Sequence, residues 1–418
     1  MAEVTFEGEL ESLTPLQKEF VSEVLQNRGL KANRVIIETL GQAGDNYVAN
    51  VKKITAELEN AELFTMVAKV APTNTILRAT MGTAMVFGNE CAMYNEILAR
   101  FRDLQYETGL TEEESFRFPE CYGTLSEPMN EIILLEDLKQ SNYVMMDRFT
   151  PLTNDSVKEV LKSFAKLHAV SFALKKKDPD TFESYHGKLQ DLFSVLSANP
   201  EFRAFLTGIE MDMISTLDSD SYKKAVKNSV SKLPEQTAKT LKFDRNSRYS
   251  VVTHGDSWTN NLMFRLEDNN PVHAILIDYQ ISKIASPACD LLYMIFSSTD
   301  HSTRHQHFYE WIDFYHSELD SSLSNFGLKA NHLYPRDQLD ADLRRYSRAY
   351  FSSSILLFTV LIRKTEDAAK IKESMELNAN FKKSRADMLG ALDPETLALF
   401  KNKIEGLVES YREFGYIE

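Results

Sequence analysis

THGDSWTNNLMF (residues 253–264) is followed by AILIDYQ (residues 274–280), and these two runs decide the reading of the chain. In the first, Asp256 and Asn261 stand five apart in a loop just after a strand-like run. In the second, Asp278 ends an apolar strand 22 residues after Asp256. The set supplies one carboxylate that can orient and deprotonate a hydroxyl, plus an amide oxygen and a second carboxylate for Mg²⁺. Phosphoryl transfer from ATP needs those parts and little covalent machinery, because catalysis there is mostly positioning and charge neutralisation. A polar hairpin loop with an incidental His-Gly-Asp is the competing explanation. The strand-loop-strand setting favours the chemical one.

Upstream, Lys69 lies in the strand FTMVAKVAP. A lysine on an apolar strand is expensive unless a carboxylate and a phosphate receive it; the alternative is a lysine snorkelling from an edge strand. The helix MVFGNECAMYNEILARF carries Phe87, Cys91, Tyr94, Leu98 and Phe101 at helical spacing. Glu90 neighbours that stripe and is preferred as the partner of Lys69 over Glu96 and Asp103. The turn GQAGDN, with Gly44, Asp45 and Asn46, is placed to cover ATP phosphates with backbone N–H groups. An ordinary hairpin turn explains it equally well.

Around these runs the chain reads as a β-rich first third with one amphipathic helix, then a helical remainder. TPLQKEFVSEVLQNRG opens with a helix, with Thr14 as N-cap, Pro15 in the first turn and Gly29 as stop. RVIIETL, NYVANVKKITAEL, ELFTMVAKV, FPECYGT and NEIILLEDL are β-leaning. SVKEVLKSFAKLHAVSFAL carries a capping box, Ser156 with Glu159, and from Asp290 onward only helices are expected, the last with Asp393 as N-cap. The expected fold is α+β, with an N-lobe over residues 1–138 and a helical C-lobe over residues 139–418, joined near Lys139 to Asn142.

The 418 residues are 43% hydrophobic and 26% charged, with 15 glycines and 12 prolines, a globular composition that leans to helix. A net charge of −14 would repel a phosphate backbone, so nucleic acid is a poor partner. Cys91, Cys121 and Cys289 cannot form a closed disulfide set, which fits a reducing compartment. The start, MAEVTFEGELE, has no signal-peptide pattern, and ILLFTVLI (residues 355–362) is too short to span a bilayer. The expectation is a cytoplasmic protein.

The chain resembles the ecdysteroid-kinase-like (CHK-kinase-like) small-molecule kinases of arthropods, relatives of aminoglycoside phosphotransferases and choline kinases within the protein-kinase-like fold. Lys69 on its strand, NECAMYNEIL, FPECYGT, ILLEDL, KLHAVSFAL, HGDSWTNNLMF, LIDYQ and PACDLLYMIF carry the likeness, in order, from about residue 34 to 296. The resemblance implies a bilobal kinase fold, ATP, Mg²⁺ and transfer of the γ-phosphoryl group to an alcohol on a small molecule. It makes Asp256 the base, gives the metal to Asn261 and Asp278, and sets Lys69 on the α/β-phosphates with Glu90 orienting it. The backbone from Glu136 to Leu138 would meet adenine, and His254 and Asp290 would support the catalytic loop.

Departures bear on the activity. Gly255 follows His254, Trp258 stands where Ser/Thr protein kinases carry a loop lysine, and no APE-like segment follows Asp278. Protein-kinase activity is therefore not expected. The expected acceptor is a neutral, largely apolar alcohol such as an ecdysteroid or a xenobiotic alcohol. Its pocket is sought under the catalytic loop, where Tyr293, Phe296, Tyr309, Trp311, Phe314 and Tyr315 could line it, though core packing explains each equally well. A choline- or ethanolamine-type kinase and a pseudokinase-like binding module are the alternatives. His168 reads as a hydrogen-bonded core histidine, and His301, His305 and His307 as a solvated helix face, since nothing completes a zinc set.

Overall fold

Alternation along the fourth strand sets up the site. The computed structural model describes residues 4–42, 49–245, 247–377 and 392–418. A six-stranded sheet comprises β1 (Thr5–Gly8), β2 (Ala32–Thr39), β3 (Asn50–Leu58), β4 (Leu63–Val70), β5 (Cys121–Leu125) and β6 (Ile132–Glu136), ordered β1-β2-β3-β4-β6-β5. Side chains alternate across a strand. Met66, Ala68 and Val70 of β4 therefore pack with Ile132 and Leu134 on one face, under Val21, Val24 and Leu25 of helix α1 (Pro15–Asn27). Lys69, paired across from Val51 of β3 and Ile133 of β6, points to the other face. There Ile133 and Leu135 join Phe87, Cys91 and Tyr94 in the larger core.

Thr14 caps α1 through a capping box with Gln17, and Gly29 follows the helix at φ +73°. Strand β1, which the sequence reading lacked, is a short edge element parallel to β2. After β4 come α2 (Thr75–Met81), also unforeseen, and α3 (Thr83–Ala92), a π turn (Met93–Ile97) and α4 (Leu98–Thr108). The π turn inserts within the amphipathic helix without exposing its stripe: Phe87, Cys91, Tyr94, Leu98 and Phe101 are all buried.

The remainder is helical around α5 (Asn154–Lys177), α11 (Ala288–Ser298), α12 (His301–Ser324) and α14 (Arg336–Leu361), with α6 (Pro179–Ser184), α7 (Leu192–Leu196), α8 (Pro200–Thr216), α9 (Asp220–Val226), α10 (Leu233–Asp244) and α13 (Ala330–Leu333) between them. The N-cap of α5 is Thr153, whose hydroxyl accepts from Ser156 N, and not Ser156 itself; the helix begins earlier than the capping-box pattern implied. Asp393 caps the helix Pro394–Glu413 as read. Two small ribbons hold the loop: β8 (Val251–Thr253) pairs with β11 (Lys283–Ala285), and β7 (Tyr143–Met145), β9 (Leu262–Glu267) and β10 (Asn270–Leu276) form the other. Strands β7, β9 and β11 were not read from the sequence. The fold is α+β, bilobal and protein-kinase-like. Among the described residues, no helix is long and apolar enough to cross a membrane.

Candidate active site

Lys69 Nζ lies 2.5 Å from Glu90 Oε2 and 2.6 Å from Asp278 Oδ1, with all three side chains largely shielded from solvent. Burial alone would discharge the lysine, but the two carboxylates more than offset that and hold its pKa above the ordinary value. Burial pushes Glu90 up to about 7 against the pull of the ammonium. Of its rivals, Glu96 is paired with Lys188 at the surface and Asp103 is exposed on α4. Asp278 does not end the strand as read. β10 stops at Leu276, and Asp278 sits two residues on, in the left-handed region at φ +68°.

The loop after β8 is held from beneath by one carboxylate. Asp290, fully buried near the start of α11, accepts from His254 N (2.8 Å), Gly255 N (2.9 Å) and His168 Nε2 (3.1 Å). Burial would raise its pKa, but the hydrogen bond from His168 holds it below the ordinary value. The other ring nitrogen of His168 accepts from Tyr315 OH, which makes it the core histidine expected. Gly255 has φ +85°, and a Cβ there would stand 2.4 Å from Ile281 O, so only glycine fits between His254 and Asp256. His254 ties the loop to the next segment: Nε2 donates to Ile277 O at 2.9 Å, and Nδ1 accepts from Asp256 N at 3.2 Å.

Both oxygens of Asp256 carry a donor. Tyr293 OH donates to Oδ1 at 2.7 Å, and Asn261 Nδ2 donates to Oδ2 at 3.1 Å. Burial, then the charge of Asp278, push Asp256 up to about 7 despite the tyrosine hydrogen bond. A carboxylate in that range suits proton transfer near neutral pH. With Nδ2 engaged, the amide oxygen of Asn261 remains to join the carboxylate of Asp278 as a hard-oxygen pair. Mg²⁺ takes one or two protein carboxylates plus substrate phosphates, so this donor set fits it. Among the described residues, no group of three or more His, Cys, Asp or Glu is placed to hold a metal; His301, His305 and His307 meet Ser410, Glu413 and Glu310 instead.

Two cavities meet here. One, of about 410 Å³, lies between the sheet and the loop, with Val51, Lys69, Glu136, Leu138 and Met263 in its walls. The other, of about 310 Å³, is mainly apolar and is lined by Phe193, Phe205, Tyr350 and Leu357. Asn261 and Asp278 border both, whereas Asp256 borders only the second. The second also has a polar end, formed by Asp244 and by the Lys283–Asp191 pair (3.1 Å).

The positions named from sequence distribute unevenly over this geometry. Lys69, Glu90, Glu136, Leu138, Asn261 and Asp278 border the first cavity, and His254 and Asp290 hold the loop. Gly44, Asp45 and Asn46 lie outside the described residues. Of the six aromatics considered for an acceptor, only Tyr293 lines the second cavity. Phe296, Trp311 and Tyr315 are core, and Tyr309 is exposed. Phe193, Phe205 and Tyr350 were missed because they come from separate segments and carry no shared spacing.

Solved structures similar to this chain include an ethanolamine kinase of Plasmodium vivax (11% identity, 85% of this chain and 80% of that one, TM-score 0.41). Another is the GDP complex of an aminoglycoside 2'-phosphotransferase-IIIa (10% identity, 94% and 98%, TM-score 0.41). No protein of curated function matches. Residues 43–328 match the ecdysteroid kinase-like family as a sequence family. With the larger part of its length inside that match, the chain belongs to the ecdysteroid kinase-like family and is a kinase-type phosphotransferase.

Proposed function

We propose that the protein moves the γ-phosphoryl group of ATP to the hydroxyl of a small, largely apolar alcohol, such as an ecdysteroid or a xenobiotic alcohol. One observation carries this: the cavities meet at Asn261 and Asp278, and Asp256 faces only the apolar one. Nucleotide would fill the first, with adenine against the backbone from Glu136 to Leu138 and the α/β-phosphates on Lys69, oriented by Glu90. Asn261 and Asp278 would hold Mg²⁺, which when bound neutralises charge on the phosphates. Asp256 would orient the acceptor hydroxyl and take its proton as the oxygen attacks phosphorus and ADP leaves. The two lobes of this reading divide at 138/139, within the short 3₁₀ turn Leu138–Ser141.

The walls of the second cavity suit a neutral body better than an anion; a cationic acceptor would suit the net charge, and a largely apolar alcohol suits the apolar walls. Apolar side chains make most of them, and a net charge of −14 disfavours an anionic acceptor. The polar end, where Lys283 stands beside Asp191 and Asp244, suits a second oxygen on the acceptor. Three free cysteines agree with a cytoplasmic setting.

The test is incubation with ATP, Mg²⁺ and a panel of steroids, xenobiotic alcohols, choline and ethanolamine, read by mass spectrometry. The proposal expects a steroid or other apolar alcohol to gain one phosphoryl group. Turnover of choline or ethanolamine alone would replace it with the amino-alcohol kinase reading. Nucleotide binding with no product from any alcohol would favour a binding module.

A further inference from the structure

We propose that Tyr293 is a positioning residue that holds the Asp256 carboxylate in its reactive orientation, an inference that rests on the phosphotransferase reading above. Asp290 and Tyr293 are three residues apart on α11, so they share a helix face. From that face Asp290 takes the backbone N–H groups of His254 and Gly255, while Tyr293 OH reaches the next residue and donates to Asp256 Oδ1 at 2.7 Å. One rigid helix thus sets both the backbone of the loop and the side chain that emerges from it.

A carboxylate needs such help. The terminal torsion of an aspartate is broad, so backbone placement alone leaves the carboxyl plane free to turn. Here a donor sits on each oxygen, Tyr293 on Oδ1 and Asn261 Nδ2 on Oδ2. Gln280 also hydrogen-bonds to this carboxyl, and of its roughly four lone-pair sites that leaves one to receive the acceptor hydroxyl. The tyrosine is itself held. Its ring stands edge-on to Tyr350 (6.3 Å between centroids, 88° between planes), and both rings line the apolar cavity with Asp256. Neighbours Leu291, Leu292, Met294 and Ile295 are fully buried, yet Tyr293 is turned partly into the cavity beside the carboxylate.

The test uses the full-length chain and water as the acceptor, so no alcohol need be known. ADP release from Mg·ATP is measured for the wild type, Tyr293→Phe, Asp256→Asn and the double variant, with the apparent KM for ATP and the melting temperature of each. Tyr293→Phe is expected to slow turnover by about 10- to 100-fold, the scale of a misplaced reacting group, with KM for ATP and melting temperature unchanged. The double variant should be no slower than Asp256→Asn, because the tyrosine acts only through that carboxylate. Wild-type turnover in Tyr293→Phe beside an inactive Asp256→Asn would overturn the positioning role and leave the phosphotransferase reading standing. Losses that multiply in the double variant, or a fall in melting temperature that accounts for the slowing, would overturn it too. Full turnover in Asp256→Asn would remove the underlying reading, and the inference with it.

Discussion

Replacing Lys69 by methionine keeps the length of the side chain and removes only the ammonium. That ammonium is shared by two carboxylates, at 2.5 Å from Glu90 and 2.6 Å from Asp278. Glu90 is fully inaccessible, so it has no water to turn to. Removing one partner of a buried pair costs about 3–5 kcal/mol, because a charge is left uncompensated in a poor dielectric. The cost must depend on pH in a definite direction. Burial already raises folded Glu90 from 4.5 to about 7, so ionising it subtracts stability as pH rises through that window. Without the ammonium the folded pKa rises further. The penalty of Lys69→Met should therefore be smallest at pH 5, where Glu90 is protonated in the fold, and should grow by about 1.4 kcal/mol for each pH unit above 7 until the Glu90 of the variant itself ionises. Thermal melting of both proteins at pH 5 and pH 8 checks this, and Lys69→Met/Glu90→Gln should recover most of the loss at pH 8. A variant that melts with the wild type at both pH values, or that loses more at pH 5, would mean that the Lys69 ammonium does not compensate Glu90.

Asp278→Ala should weaken Mg²⁺-dependent nucleotide binding itself, seen by calorimetry as a loss of affinity that added metal does not restore. Gly255→Ala should lower the melting temperature, since the new Cβ would meet Ile281 O at 2.4 Å on a backbone at φ +85°; strain of this kind costs about 1–3 kcal/mol. Asp290→Ala strands two backbone N–H groups and the His168 ring. At about 1–3 kcal/mol for each buried donor left without a partner, it should be among the most destabilising single changes in the helical lobe, as denaturant titration would show.

What could be read from the chain beforehand was whatever local pattern encodes. Lys69 stood out as a lysine within an apolar strand, and Glu90 because it adjoins the Phe87–Tyr94 stripe; both signals live within a few residues. The same locality misled at α5, where Thr153 and not Ser156 caps the helix, and at β10, where the apolar run continues past the last paired residue to Asp278. Strands β1 and β11 are four and three residues long, too short to show a period, and exist because β2 and β8 offer them partners. Periodicity says that Phe296, Trp311 and Tyr315 are buried but not against what, so they competed with Tyr293 for a cavity they do not touch. The hydrogen bond from Tyr293 to Asp256 joins residues 37 apart and leaves no trace in spacing.

In the proposed reaction the phosphoryl group goes directly from ATP to an alcohol whose proton Asp256 accepts. This transfer is tested most directly by following γ-labelled ATP with the alcohol that responds best in the panel, using wild type and Asp256→Asn side by side. The account expects label in the alcohol product with the wild type. With Asp256→Asn it expects a loss of about 100- to 10,000-fold, the usual contribution of a positioned proton acceptor, while ATP still binds. Label appearing at the same rate with both proteins, or only as free phosphate with the wild type, would contradict it.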